Sequence, residues 1–336
     1  MKALVYENVR ELRVRDWPDP TPGEDEVVIR VAWAGICGSD LSGYLGHNSL
    51  RVPPLVMGHE FSGVVVETGS RVTRWKPGDR VAVNPLVSCG RCRKCLQGKP
   101  QLCASRQIIG AHRAGAFAEK VAVPERNVFV WPDSEPLERA ALAEPLACAV
   151  HIARLAALSP TERLLVLGAG PIGMLVMLVA QVYGVKETIV MERNPSRLRM
   201  AAELGATTVT SEEALRELAG KRGFDVAVDA VGVRATRRLA VETAALGGTV
   251  VLSGLHEADS ELPVNVAVRN ELNLRGAFCY EPRDFETALE WLASGKIRLD
   301  DGFVFAPLDE GQACFERLLA EGDVLKILLS PEKPRG

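Results

Sequence analysis

Aromatic residues make up only 5% of the 336-residue chain, too few for the stacking platforms that single-stranded nucleic acid requires. An excess of either charge is also missing. Forty Lys and Arg stand against 43 Asp and Glu, a formal net charge of −3, so neither nucleic acid nor an anionic membrane is expected as a partner. The basic cluster Arg91, Arg93 and Lys94 is small and reads as a solvated loop. The first residues, Met1 to Glu7, lack the apolar core of a signal peptide and read as a strand. With Cys37, Cys148, Cys279 and Cys314 scattered singly, this points to a reducing, cytoplasmic location. One uncharged run, Leu164 to Val185, has the 22 residues needed to span a bilayer. Gly168, Gly170, Pro171 and Gly173 in its first half would ruin a spanning helix, so it reads as buried strand, glycine turn and buried helix.

The other four cysteines are concentrated. Cys89, Cys92, Cys95 and Cys103 fall within fifteen residues, spaced C-x2-C-x2-C-x7-C. Tetrahedral zinc takes four thiolates from short turns at such spacing. Disulfides are disfavoured in a chain too long to need stapling. Four closed ligands leave no open position, so a zinc here is structural.

The first 145 residues read as mainly β. Valine-rich runs at Glu26–Ala34, Ser62–Thr68 and Arg80–Asn84 are separated by glycine and proline, the pattern of a small barrel or sandwich. Leu137–Leu158 reads as one helix leading out of that domain. After Pro160, strands and helices alternate: strand Arg163–Leu167, helix Ile172–Tyr183, strand Glu187–Met191, and so on to strand Thr249–Ser253. Such alternation predicts a doubly wound parallel sheet.

Strand Leu164–Leu167 runs into Gly168-Ala-Gly170-Pro171-Ile172-Gly173, and a helix follows. The first glycine makes the turn, the second lets a pyrophosphate approach, and the third permits close packing. The helix N-terminus then faces the phosphates. Glu192, nineteen residues beyond Gly173, ends the next strand. A carboxylate there binds the 2′-hydroxyl of NAD and repels the 2′-phosphate of NADP. Arg193 and Arg197 are the side chains that could hold a phosphate instead.

Cys37, His59, Glu60 and Glu144 are zinc-ligand types outside the cysteine lobe. Each has a plain alternative: a buried thiol, a surface histidine, a paired glutamate, a charge at a helix start. Spacing alone does not bring them together.

The stretch Gly58-His59-Glu60-x2-Gly63-x5-Gly69-x2-Val72 resembles the zinc signature of the medium-chain dehydrogenases/reductases. That family carries the four-cysteine lobe and the G-x-G-x-x-G domain in the same order, and the likeness spans essentially the whole chain. Glu144-Pro145-Leu146, Gly-His-Glu-Phe-Ser-Gly and Ser253-Gly254-Leu255-His256 resemble its polyol branch, that of sorbitol and galactitol dehydrogenases. The resemblance implies a GroES-like β-barrel catalytic domain, residues 1–149 and 284–336, with an inserted Rossmann domain, residues 150–283. It implies two zincs per chain. Cys37, His59 and either Glu60 or Glu144 would hold the catalytic one, and the cysteine lobe the other.

Ser39 matches the family position that hydrogen-bonds the reacting hydroxyl, and Gly254 and Leu255 fall among cofactor contacts. The implied reaction is NAD-dependent oxidation of a secondary alcohol of a polyol or diol to a ketone, in a homo-oligomer, a tetramer over a dimer. Alternatives are an L-threonine or 2,3-butanediol dehydrogenase, or an inactive zinc- and NAD-binding protein. Two departures stand out. Asp40-Leu41-Ser42 lacks the relay histidine that many members carry after the Ser-Asp pair, so the proton leaves through ribose and water or through His47. Cys279 precedes Tyr280 where sorbitol dehydrogenases carry arginine.

Overall fold

A computed structural model describes residues 1–299, 302–320 and 324–332. The chain divides into two compact units, Met1–Glu144 with Glu281–Gly336, and Pro145–Tyr280. These breaks fall a few residues ahead of the expected 149/150 and 283/284. At the second, Glu281 caps helix Pro282–Ala293 and so stays with that helix. Residues 300–301, 321–323 and 333–336 of the expected C-terminal segment lie outside the described residues.

In the first unit a seven-stranded sheet runs Val128–Val130, Arg80–Val83, Glu60–Thr68, Glu26–Gly35, Lys326–Ser330, Phe303–Pro307, with Lys120–Pro124 also pairing with Glu26–Gly35. Alternation along Glu26–Gly35 buries Val27, Ile29 and Val31 in a continuous core with Phe61, Val65, Phe117 and Phe315. Two registers matter for function. Gly35 pairs with Glu60, and Leu328 pairs with Gly35, both antiparallel. The first sets the end of one strand beside the start of the other. The second brings a strand from the far end of the chain to the same place.

The expected helix Leu137–Leu158 is two helices, Leu137–Ala140 and Ala143–Ala156. Pro145 has no N–H to give residue 141, and its ring crowds that carbonyl, so the helix restarts with proline in its first turn.

The second unit is a six-stranded, wholly parallel sheet in the order Thr207–Val209, Glu187–Met191, Arg163–Leu167, Phe224–Asp229, Ala244–Leu252, Asn273–Gly276. The first strand in sequence lies at the centre, where strand order reverses. That switch point is where an open α/β sheet binds its ligand. The uncharged run resolves into strand Arg163–Leu167 and the twelve-residue helix Pro171–Val182. Among the described residues no helix is long and apolar enough to cross a membrane.

Candidate active site

Cys37 follows strand Glu26–Gly35 and opens the short helix Gly38–Tyr44. His59 and Glu60 sit where strand Glu60–Thr68 begins, directly across from Gly35. The register therefore gathers the Cys37, His59 and Glu60 ligand atoms within 4.8 Å of one another. His59 and Glu60 are buried, and Cys37 is half-buried. A thiol, an imidazole and a carboxylate converging out of water form a donor set that fits zinc.

Fully buried Asp40 supports this cluster. Its Oδ2 accepts the Cys37 amide at 3.1 Å, and its Oδ1 lies 3.4 Å from His59 Nδ1. That leaves the other ring nitrogen of His59 for a metal. Burial alone would raise the Asp40 carboxyl, but His59 and Arg51 hold it well below the usual carboxylate range. Burial likewise opposes charge on His59, yet Asp40 and Cys37 push its pKa well above the ordinary value.

Glu60 has a second engagement. Lys326 Nζ donates to both of its oxygens, at 2.8 and 2.6 Å, and to the Ile36 carbonyl at 3.3 Å. Burial works against the ammonium charge of Lys326, but Glu60 and Cys37 raise its pKa. A carboxylate oxygen has lone pairs for both a metal and an ammonium, so this clamp leaves Glu60 able to bind a metal. Glu144 stands in the first turn of helix Ala143–Ala156, buried, with its charge acting on Lys326. Half-buried Ser39 accepts a hydrogen bond from Arg51 at 2.9 Å. His47 is exposed. The sequence reading did not identify Arg51 or Lys326; neither belongs to a spaced motif.

In the cysteine lobe, Cys92 caps helix Arg93–Leu96 and Cys103 follows the turn Pro100–Leu102. The sulfur separations are 3.5 Å for Cys92–Cys95, 3.9 Å for Cys89–Cys95 and 3.5 Å for Cys89–Cys103. Bonds of about 2.3 Å to a tetrahedral zinc give edges of about 3.8 Å, and all four residues are thiols rather than disulfides. The lobe fits zinc. Amides of Arg91 and Cys92 stabilise the Cys89 thiolate and pull its pKa to about 6, whereas burial pushes the Cys95 thiol up.

In the second unit, Gly168 turns at φ +93°, and a Cβ on Gly173 would meet the Gly168 carbonyl at 1.9 Å. A Cβ on Gly170, the residue before helix Pro171–Val182, would meet nothing within 4 Å. Tight turn, open approach and close packing are the three requirements of a pyrophosphate site. Glu192 accepts the amides of Ala169, Arg193 and Asn194 at 2.9, 2.7 and 2.9 Å, tying the glycine turn to the next strand. It also lines a cavity of about 200 Å³ with Gly168, Arg193, Val231, Thr236 and Leu239. The last three, as lining residues, were not legible in the sequence.

Arg197 gives its amide to the Asn194 cap. Gly254 and Leu255 are not among the cavity's lining residues. Gly254 instead packs on Gly232 with no room for a Cβ, and Leu255 is 82% exposed.

Residues 23–133 match the model of the alcohol dehydrogenase GroES-like domain, and residues 171–294 that of zinc-binding dehydrogenases. A sorbitol dehydrogenase of Bacillus subtilis (strain 168) is 35% identical across 99% of this chain and 98% of its own. A zinc-binding dehydrogenase of Sinorhizobium meliloti 1021, solved with NADP, superposes with a TM-score of 0.91 at 34% identity, covering 98% of this chain and 99% of that one. An alcohol dehydrogenase of Escherichia coli CFT073, solved with NADH, has the same TM-score at 31% identity and the same coverage. Fold and site together define a dehydrogenase with a GroES-like and a Rossmann unit. The chain belongs to the zinc-binding alcohol dehydrogenase family.

Proposed function

We propose that the protein interconverts a secondary alcohol of a polyol or sugar alcohol and the corresponding ketone, using NAD and two zincs per chain. The observation that carries this reading is the convergence of Cys37, His59 and Glu60, with the Ser39 hydroxyl two residues from Cys37. The relative that is a sorbitol dehydrogenase supports a polyol as substrate. Cys37, His59 and Glu60 or Glu144 would hold the catalytic zinc, and Cys89, Cys92, Cys95 and Cys103 the structural one. When bound, zinc supplies a Lewis acid for the alcohol oxygen and NAD a hydride acceptor.

The chain's own residues do the rest. Asp40 orients the His59 ring, and Lys326 balances the buried charge of Glu60. Ser39 presents its hydroxyl to the reacting oxygen. The Gly168–Gly173 turn and the N-terminus of helix Pro171–Val182 receive the pyrophosphate. Glu192 would take the ribose hydroxyls, which favours NAD over NADP, since a 2′-phosphate beside this carboxylate is repelled.

Cys279 stands ahead of Tyr280 where sorbitol dehydrogenases carry arginine, which favours a polyol other than sorbitol itself. Homo-oligomerisation, as a tetramer over a dimer, is part of the same reading. Val264, Val268 and Leu274, on and beside the edge strand Asn273–Gly276, are exposed, as an interface would require. The thiols at Cys37 and in the lobe suit the reducing cytoplasm.

NADH formation by the zinc-loaded protein across hexitols, pentitols, tetritols, 2,3-butanediol and threonine, with NADP in parallel, tests the proposal. Turnover of a polyol with NAD is the expected result. Turnover of threonine alone would move the assignment to an amino-acid dehydrogenase, and silence with two zincs bound would overturn the substrate class.

A further inference from the structure

Arg51 is a buried guanidinium whose side chain is 4% exposed. Its Nε and one terminal nitrogen both donate to Asp40 Oδ1, at 3.0 and 2.8 Å, and the same terminal nitrogen donates to Ser39 Oγ at 2.9 Å. Room for it is built into the neighbouring helix. A Cβ on Gly43 would lie 2.2 Å from Arg51 Cδ and 3.0 Å from its Cβ. Glycine inside a helix costs about 1 kcal/mol against alanine; here it lets the arginine stem cross Gly38–Tyr44.

We propose that Arg51 is a positioning residue for alcohol oxidation: it fixes the Ser39 hydroxyl as the hydrogen-bond partner of the substrate oxygen and holds Asp40 against His59. A guanidinium only donates. Ser39 Oγ therefore spends one lone pair on Arg51, and its hydrogen and second lone pair must face elsewhere. Behind Ser39 stands a permanent cation that cannot accept a proton, so no proton leaves by that side. The same cation, through Asp40, sets the carboxylate that orients a ligand ring. One side chain thus couples the residue facing the substrate to the residue behind the metal ligand. This inference rests on the proposed dehydrogenase reading, with Ser39 at the reacting oxygen.

The test is a double-mutant cycle of R51Q and S39A in the zinc-loaded enzyme, with R51K beside it, together with the rate of zinc release to a chelator. In R51Q, kcat/KM for the alcohol should fall about 10- to 100-fold, the range for losing a partner of a metal ligand, with KM for NAD unchanged. R51Q/S39A should lose less than the product of the two single losses, because the part of the Arg51 effect that runs through Ser39 is already gone in S39A. R51K should recover part of the loss. Zinc should leave R51Q faster than wild type. The chelator arm needs no turnover, so a wild type inactive on every alcohol would sink the dehydrogenase reading while unchanged zinc release would sink the Arg51 role.

Effects of R51Q and S39A that multiply would overturn the coupling, as would wild-type kinetics and zinc release in R51Q. Should R51Q fail to fold, G43A displaces the arginine stem with its charge retained. It should then reproduce the kinetic loss and the non-additivity with S39A, and wild-type behaviour of G43A would count against the proposal.

Discussion

Lys326 and Glu60 form a buried ion pair in which one charge is tolerated only because of the other, with side chains 3% and 1% exposed. Removing one partner of such a pair costs about 3–5 kcal/mol. Lys326→Met should therefore destabilise the metal-free protein by about that amount. Zinc beside Glu60 would replace the missing cation, so the deficit should shrink on metal loading; denaturant melts with and without zinc measure both. Glu192 carries the proposed choice of cofactor. Glu192→Gln weakens a charged acceptor of three amides, and hydrogen bonds to charged groups are worth about 1.5–3 kcal/mol. The kcat/KM for NAD should fall about 10- to 100-fold, with a smaller loss for NADP, as read from parallel kinetics.

The place of Glu192 beside the glycine turn was legible in the sequence because it stands at a fixed distance from that turn. Lys326 was not. Its partner is 266 residues away, and one lysine among forty basic residues carries no pattern.

The cysteine lobe was the most legible of the elements, since its four thiols fall within fifteen residues and no long-range contact is needed to guess their meeting. Its chemistry is uneven. With the Cys89 thiol at about 6 and Cys95 raised, metal-stripped protein at pH 7 carries mostly thiolate at Cys89 and thiol at Cys95. Iodoacetamide should modify Cys89 before Cys95, the preference should fade as pH falls below about 6 and Cys89 takes up its proton, and zinc should protect both. Peptide mass spectrometry gives the order. Elements of three residues, such as strand Val128–Val130, escaped because no periodicity fits in so short a run. The break between Ala140 and Ala143 escaped because alanine-rich sequence on both sides reads as helix, and only Pro145 marks the restart.

At the scale of the molecule, order along the chain revealed the architecture: a β-rich half, then alternating strands and helices, then a mixed tail. The pairing of Lys326–Ser330 with Glu26–Gly35 could not be read that way, because strand partners distant in sequence leave no local trace. The parallel sheet ends at Asn273–Gly276, whose four residues are exposed. Leu274→Lys places a charge on that edge. Analytical ultracentrifugation should show a smaller assembly while cofactor binding, proposed at the central strand Arg163–Leu167 and its glycine turn, is retained. An unchanged sedimentation coefficient would remove this edge from the interface.

The long separation between Glu60 and Lys326 also sets an order of events during synthesis. At about 5–20 residues per second, the 266 residues between them take roughly 13 to 53 s to translate. For that interval Cys37, His59 and Glu60 are already made while the lysine is not. A nascent chain therefore presents Glu60 to the solvent ions without its cation, and a zinc ion captured then meets an unclamped carboxylate. Were a metal to enter in that interval, the strand carrying Lys326 would dock over a site already filled.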